Sequence, residues 1–596
     1  MSNFYRVHIL TGAIIVINII FSCALLFGFF NSDIGLISIV IIYLLCFLLI
    51  ASLRIHKSSI LIFSLFIAFI ATYWIFAFPP AINGNDDNTA YLVFAYKTVD
   101  YGHLPVEPLS ERRAFSLGGS YPFQGSLIDI LGINYLTIFE PALGVLLLSF
   151  LAMCFGNNYY SRLIPISVIS FMPLLGSRVL ANTASTFILS FYTLVMIFLV
   201  YSLYKKNNYS LLFKTTTFAI IVLSAILAVT LRPTTAPFNT FIVVFLLLIY
   251  TLRKDYKTTI LSVSVSLIFA LLILLPYIIS SNLSSGSWSY PLLSRGWHIS
   301  SDPNFIIYSS VPIIDHISNL TKVPLQDPFV SIIIVIYIIS IKYLNNKFFH
   351  HFIFLAYIAF YMILIISTGG RSTSRYVFPV SLAVVIFQSV LLLNTMGSTL
   401  NPSQEVDANS ETIRVAAVIA CFFAPAMLMI IWFFYSNSVS ATRYKMINIS
   451  SQQSVADIDM IRDFIENKKE RIVVTSSYAR SLYEAGFSNI VIHDQPGVML
   501  PWRAKNMREA SPINHYANDI KDYLVKNEIR YIVSEDKSCD AATEFLVDSS
   551  VVKSWGDIIN FGYRLWNNFL CSGLETRYVG SSGICLYEIS NHSEKP

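Results

Sequence analysis

Long apolar runs broken by short polar loops fill residues 1–434 of the chain. A helix needs about 20 apolar residues to cross a bilayer. On that criterion the pattern predicts about thirteen spans, at 9–30, 34–53, 60–78, 138–155, 163–175, 183–204, 217–231, 238–252, 259–280, 329–341, 352–367, 377–393 and 415–434. The stretch 163–175 carries Pro165 and Pro173 and reads as a kinked or half-depth segment. Past residue 434 the pattern changes to short β-rich runs, "RIVVTSS" (471–477), "NIVIHD" (489–494), "IRYIVSED" (529–536) and "GICLYEIS" (583–590). A helical pattern at 513–527 lies among them, and strands alternating with helices predict a small soluble α/β domain over 435–596. The predicted fold class is a polytopic α-helical membrane protein with a C-terminal α/β domain.

The basic residues set the sidedness, because Lys and Arg are retained in the cytoplasm. Alternate short loops hold Arg54 and Lys57, Arg162, Lys205 with Lys206 and Lys214, Arg253 with Lys254 and Lys257, and Lys342 with Lys347. With those loops inside, the N-terminus is cytoplasmic. The large loops 79–137 and 281–328, the turns near Arg178, Arg232 and Arg371, and the whole of 435–596 then lie outside. The loop 394–414 is acidic although this scheme places it inside. The first apolar run exceeds a signal-peptide core and is read as a retained helix.

Composition agrees with a membrane protein. Of 596 residues, 55% are hydrophobic and 13% charged, and the mean hydropathy is +0.63. The net charge of +5 is dispersed over many loops. No basic stretch is interleaved with aromatics, so no nucleic-acid partner is expected. The seven cysteines form no CxxC pair, which leaves a zinc or redox motif without support. Cys539, Cys571 and Cys585 fall late, and one disulfide with a thiol left over is open to them, although an unpaired set of three is the plainer reading.

Candidate chemistry gathers at the outer ends of the spans. In "AINGNDDNTAYL" Asp86 and Asp87 precede an amphipathic helical pattern. One carboxylate there caps a helix, whereas two at the water–lipid boundary suit a general base acting on an acceptor hydroxyl. In "PLSERRAFSLGGSYPFQGSL" the charge concentrates in Glu111, Arg112 and Arg113. That stretch is either a solvated hairpin tip or a guanidinium pair gripping an anion, with Gly118 and Gly119 permitting close approach. Arg178, Arg232, Arg371 and Arg375 sit where basic residues are least expected. Any one of them can snorkel to headgroups, but four on one side describe a site for a lipid-linked phosphate or pyrophosphate. Trp288, Tyr290, Trp297 and His298 read as interfacial anchors or as a lid stacking on sugar or isoprenoid.

Three features together resemble the GT-C superfamily of integral-membrane glycosyltransferases: the carboxylates ahead of an amphipathic helix, the late "GGRSTSRYVFP" before a span, and the outer α/β domain. "LSERRAFSLGG" is similar to uncharacterised bacterial members associated with surface polysaccharides. The resemblance implies transfer of a sugar from a polyprenyl-phosphate donor to a glycan or lipid acceptor at the outer face of a bacterial inner membrane. It implies Asp86 or Asp87 as catalytic residue, and Arg371, Arg375 and Tyr376 as partners of the donor phosphate. No cofactor is certain; a divalent metal is left open, since relatives differ in using one. Three spans precede the acidic loop, where many members have one. An O-antigen polymerase or ligase, a lipid-linked saccharide flippase and a non-enzymatic scaffold are the alternatives. The large C-terminal domain argues against the first, and nearly charge-free spans without a repeated half argue against the second.

Overall fold

The computed structural model describes residues 3–53, 87–110, 112–113, 116–157, 161–162, 165–166, 169, 185–205, 209–285, 288, 328–343, 347–368, 373–398, 455–465, 467–475, 478–494, 521, 524–535, 566–567, 569–571 and 574–589. The chain forms two compact units, each assembled from separate stretches. The first takes Met1–Ala81, Pro122–Leu275 and Ile314–Ser440; the second takes Ile82–Tyr121, Pro276–Ile313 and Ala441–Pro596.

The first unit is helical. Its described helices are α1 (Asn3–Leu26), α2 (Ser32–Ala51), α4 (Tyr121–Leu131), α5 (Gly144–Phe155), α6 (Phe187–Lys205), α7 (Leu211–Leu231), α8 (Ala236–Leu252), α9 (Tyr256–Ser285), α10 (Pro328–Tyr343), α11 (Lys347–Thr368) and α12 (Thr373–Ser398), except that Tyr121 of α4 and residues 276–285 of α9 belong, with α3 (Leu92–Tyr101), to the second unit. Side chains cap two of the helices: Asn31 accepts from the Ile34 N–H at 3.0 Å at the start of α2, and Ser210 from the Phe213 N–H at 3.3 Å at the start of α7. Nine helices among the described residues are long and apolar enough to cross a membrane, and Phe329–Ile341 is a shorter apolar helix. Each predicted span that falls on described residues is helical. The expected spans 60–78 and 415–434, and most of 163–175, lie outside the described residues. Helices α6 and α12 are apolar on every side and almost entirely buried, which makes them the centre of the bundle. By contrast α9 exposes Leu267, Ile268 and Leu271, a surface suited to lipid.

The second unit holds a five-stranded sheet of order β2-β1-β3-β5-β4, made from β1 (Arg471–Val474), β2 (Ile490–Ile492), β3 (Ile529–Glu535), β4 (Glu575–Val579) and β5 (Ile584–Glu588). Strand β1 pairs in parallel with β2 and β3, whereas β5 runs antiparallel to β3 and β4. Four of the five strands are those the sequence predicts. The fifth, β4, has no apolar signal because it is an exposed edge reading "ETRYV". Its Arg577 pairs with Glu575 at 2.6 Å, and such charges discourage pairing with another chain.

The opposite edge, β2, is closed from within the chain. On α3 the buried Lys97 ammonium donates to the Ile490 carbonyl and to Glu107 Oε1. The other oxygen of Glu107 accepts from the Ile492 N–H at 2.9 Å. A buried strand edge leaves polar backbone groups that need partners, and one ion pair supplies both the donor and the acceptor. Leu109, two residues past Glu107, enters the core of the sheet with Val491, Ile532 and Trp566. A further helix, α13 (Ala479–Glu484), packs on α3: Tyr96 stacks on Tyr483, and the Tyr101 hydroxyl reaches the Ser488 carbonyl at 2.6 Å. Within the stretch read as a hairpin tip, Leu109, Ser110 and Arg113 are buried at 1%, 0% and 0% exposure and Arg112 is half-buried.

Cys571 is disulfide-bonded, which corrects the expectation of an unpaired late set; cysteine spacing alone does not reveal pairing. Cys585 is a buried thiol on β5. His493, directly after β2, lies against Trp566 with ring centroids 4.5 Å apart. Among the described residues neither of its ring nitrogens has a hydrogen-bond partner, nor does Trp566 Nε1. Burial alone pushes the His493 imidazole down to about 3.

Two outcomes test this packing in the full chain in detergent, read by proteolysis of the second unit across a urea series. Leu109→Ala is expected to cost about 2–5 kcal/mol, the range for emptying a buried leucine site; an unchanged midpoint refutes the role of the loop in the sheet core. The folded chain keeps His493 neutral, while the unfolded chain takes up a proton below about pH 6.5. Stability is thus full above that pH and falls as the pH drops towards 3. Between pH 7 and 5 the parent should lose ~2 kcal/mol and His493→Leu should not; parallel slopes for the two proteins contradict the assignment.

Candidate functional site

In the second unit, Asp87 opens a single turn of π-helix, Asp87–Tyr91, that runs directly into α3. Its position at a helix start favours negative charge. The side chain is nevertheless fully buried, which a solvated capping residue is not. The next residue, Asn88, accepts from Arg480 of α13 at 3.3 Å. Asp86, its predicted companion, lies outside the described residues.

Ser110, Arg112 and Arg113 belong to the same unit. The Ser110 hydroxyl donates to Asp494 Oδ2 at 2.6 Å, and the Arg112 N–H donates to the same oxygen at 3.2 Å. The Arg112 guanidinium lies 3.7 Å from that carboxylate and donates to the Asp494 carbonyl at 3.2 Å. Arg113 is entirely buried, and it donates to the Pro105 carbonyl at 2.9 Å, to the Ser116 carbonyl and to Ser280 Oγ at 2.6 Å. Its guanidinium is thus held by the protein's own oxygens, and Arg112 is held by an acid. Both cations of the pair expected to grip an anion are engaged within this unit, Arg112 by the Asp494 carboxylate and Arg113 by neutral oxygens that satisfy its N–H groups.

Arg113 also stands 5.9 Å over the ring of Tyr121. The Tyr121 hydroxyl donates to Ser116 Oγ at 2.8 Å. Burial, opposed by Arg113 and Ser116 and aided by Asp494 and Asp87, pushes that hydroxyl up to about 12. Gly118 is required here twice over. Its φ is +86°, and a Cβ would come within 2.6 Å of the Tyr121 ring.

In the first unit the structure brings together two residues predicted from distant loops. Arg232 lies between the spans Leu211–Leu231 and Pro233–Leu252, at the C-terminal end of α7 where the helix dipole favours a cation. Its guanidinium carbon is 6.0 Å from the ring centroid of Tyr376. Tyr376 begins the span Tyr376–Thr395. Arg375 precedes it in the first turn of α12, and Arg371 lies outside the described residues, as do Arg178, Trp297 and His298. Trp288 is described and exposed, 61% of its surface being free, and its predicted aromatic companions are not among the described residues.

Four residues with parts in these sites escaped the sequence reading: Lys97, Glu107, Asp494 and Glu140. Glu140 stands inside the span Ile133–Phe155 and accepts from the N–H groups of Thr186, Phe187 and Ile188 at the start of α6. Gly144, one turn later, permits this approach, since a Cβ there would lie 2.8 Å from the Ile188 nitrogen. Arg232 is within electrostatic range of the same carboxylate. The signal for Glu140 was a lone acid in an apolar run, and that for Asp494 was its place at the carboxyl end of a parallel strand. Among the described residues no group of three or more His, Cys, Asp or Glu is placed to hold a metal ion.

No family model matches the chain, and no curated protein matches it. Among solved structures it is similar to the apo crystal structure of the Archaeoglobus fulgidus oligosaccharyltransferase, at 14% identity and a TM-score of 0.43, with 89% of this chain and 74% of that chain covered. It is also similar to the archaeal oligosaccharyltransferase AglB from Archaeoglobus fulgidus, solved with an inhibitory peptide and a dolichol-phosphate, at 12% identity and a TM-score of 0.37 over the same shares of the two chains.

Proposed function

We propose that the chain is a membrane glycosyltransferase of the GT-C type, moving a sugar from a polyprenyl-phosphate donor to a glycan or lipid acceptor at the outer face of a bacterial inner membrane. The observation that carries this reading is Arg232 against Tyr376: a mostly buried guanidinium at the end of one span meets the ring that opens another, with Arg375 and Arg371 just before it in sequence. Fixed cations at span ends suit a phosphate whose lipid tail stays in the bilayer. The disulfide at Cys571 supports an oxidising compartment for the C-terminal part.

The acceptor hydroxyl gives its proton to the Asp87 carboxylate as its oxygen bonds to the anomeric carbon of the sugar. The bond from that carbon to the phosphate oxygen breaks, and its electron pair leaves with the polyprenyl phosphate. The arginines stabilise the charge that develops on the departing phosphate. Asp86, adjacent in sequence, is the second acidic candidate. Arg112 and Arg113 take no part in donor binding in this reading. Trp288, Trp297 and His298 remain candidates for contact with sugar or isoprenoid.

The test uses purified full-length protein and a set of undecaprenyl-phosphate monosaccharides radiolabelled in the sugar, with transfer to water as the minimal reaction. Asp87→Asn should lower kcat by about 10²-fold or more with little change in donor KM. Full activity of Asp87→Asn and of the Asp86→Asn/Asp87→Asn double variant dismisses the base. Arg232→Ala should raise donor KM by roughly 10-fold, and Arg232→Lys by less, because lysine keeps the charge without the bidentate fork. An unchanged donor KM for both removes the phosphate role.

A further inference from the structure

The groups around the acid-bearing turn come from several elements of the second unit. Tyr121 stands at the start of α4, Arg112 and Arg113 shortly after Ser110, Arg480 on α13 and Asp494 just after β2. The Lys97–Glu107 pair lies farther along α3 and its loop, the two charges matching one another. Asp494 connects Ser110 to the sheet. Its Oδ2 holds the Ser110 hydroxyl at 2.6 Å, and that hydroxyl oxygen accepts from the Arg113 N–H at 3.0 Å. This fixes the backbone from which the Arg113 guanidinium extends over the Tyr121 ring. The Tyr121 ring packs against Phe94, in the first turn of α3 directly after the Asp87–Tyr91 segment, with centroids 5.7 Å apart, and Asp87 and Asp494 both act electrostatically on its hydroxyl.

We propose that Asp494 is a positioning residue for the Asp87 carboxylate: through Ser110 and Arg113 it holds Tyr121 beside the acid-bearing turn, and its own charge strengthens Asp87 as a proton acceptor. The inference rests on the reading of Asp87 as the base. The C-terminal α/β region is then a working part of the transferase, since it carries the residue that orders the turn. The charge term has a definite sign. A neighbouring carboxylate disfavours ionisation of its partner, so removing it lowers the partner's proton affinity. Tyr121 remains protonated and the arginines carry fixed charge, and among the described residues Asp494 is the carboxylate that shares the surroundings of Tyr121 with Asp87.

The experiment compares Asp494→Asn, Ser110→Ala and Asp87→Asn with the parent, using the full chain in detergent and the radiolabelled undecaprenyl-phosphate monosaccharides. Asp494→Asn should lower kcat on the order of 10-fold or more, with donor KM unchanged. It should also move the acid limb of the pH–rate profile down by roughly half a unit or more. Ser110→Ala removes the latch and keeps the charge, so it should lower kcat without moving that limb. Parental kcat in both variants, to within about twofold, overturns the proposal, as does an unmoved acid limb in a monodisperse Asp494→Asn protein. If Asp494→Asn does not fold, kcat of Ser110→Ala decides alone. An active Asp87→Asn strikes instead at the base itself, so the two failures are told apart.

Discussion

The edge of a small sheet is the constraint on which the second unit turns. Strand β2 ends the sheet, and its polar backbone groups need partners once the edge is buried. The chain meets that need with Lys97 and Glu107, a buried ion pair whose members each also bond to β2 backbone. Two charges withdrawn from water are costly unless every donor and acceptor is engaged. Here the pair is mutual, and the peptide groups of Ile490 and Ile492 complete it. The result is that α3, and the Asp87 turn that leads into it, is registered against β2 to within a hydrogen bond.

Much of the architecture was written in periodicity. The spans declared themselves through unbroken apolar length, and four of the strands through short β-branched runs. Strand β4 did not, because an exposed edge selects charge and not hydrophobicity. Sequence order also concealed the make-up of the units. The stretch after the third apolar run reads as an external loop, yet Leu109 belongs to the core of a sheet whose strands begin at Arg471. Local patterning reports that a residue is apolar; it does not report which distant surface will cover it.

The site was legible in its charges and illegible in their pairing. Arg232 stood out for its place at a span end and Tyr376 through the family resemblance, and the fold brings the two together. Arg112 and Arg113 stood out as an adjacent guanidinium pair in an outer loop, and the fold pairs Arg112 with Asp494 and gives the Arg113 N–H groups carbonyl and hydroxyl acceptors. A sequence displays a guanidinium without its counter-charge. Asp494 and Glu140 supply such counter-charges, and each acts on backbone far from it in the chain.

The discontinuity of the second unit has a consequence for biosynthesis. Lys97 bonds to a carbonyl 393 residues further along the chain, so α3 waits for β2 until nearly all of the protein has left the ribosome. Until then the strand that would receive Lys97 and Glu107 does not exist, and the turn bearing Asp87 has no scaffold. A prematurely terminated chain can therefore insert most of its apolar helices while the Asp87 turn stays unorganised. The last quarter of the polypeptide is thus what orders the turn that bears Asp87.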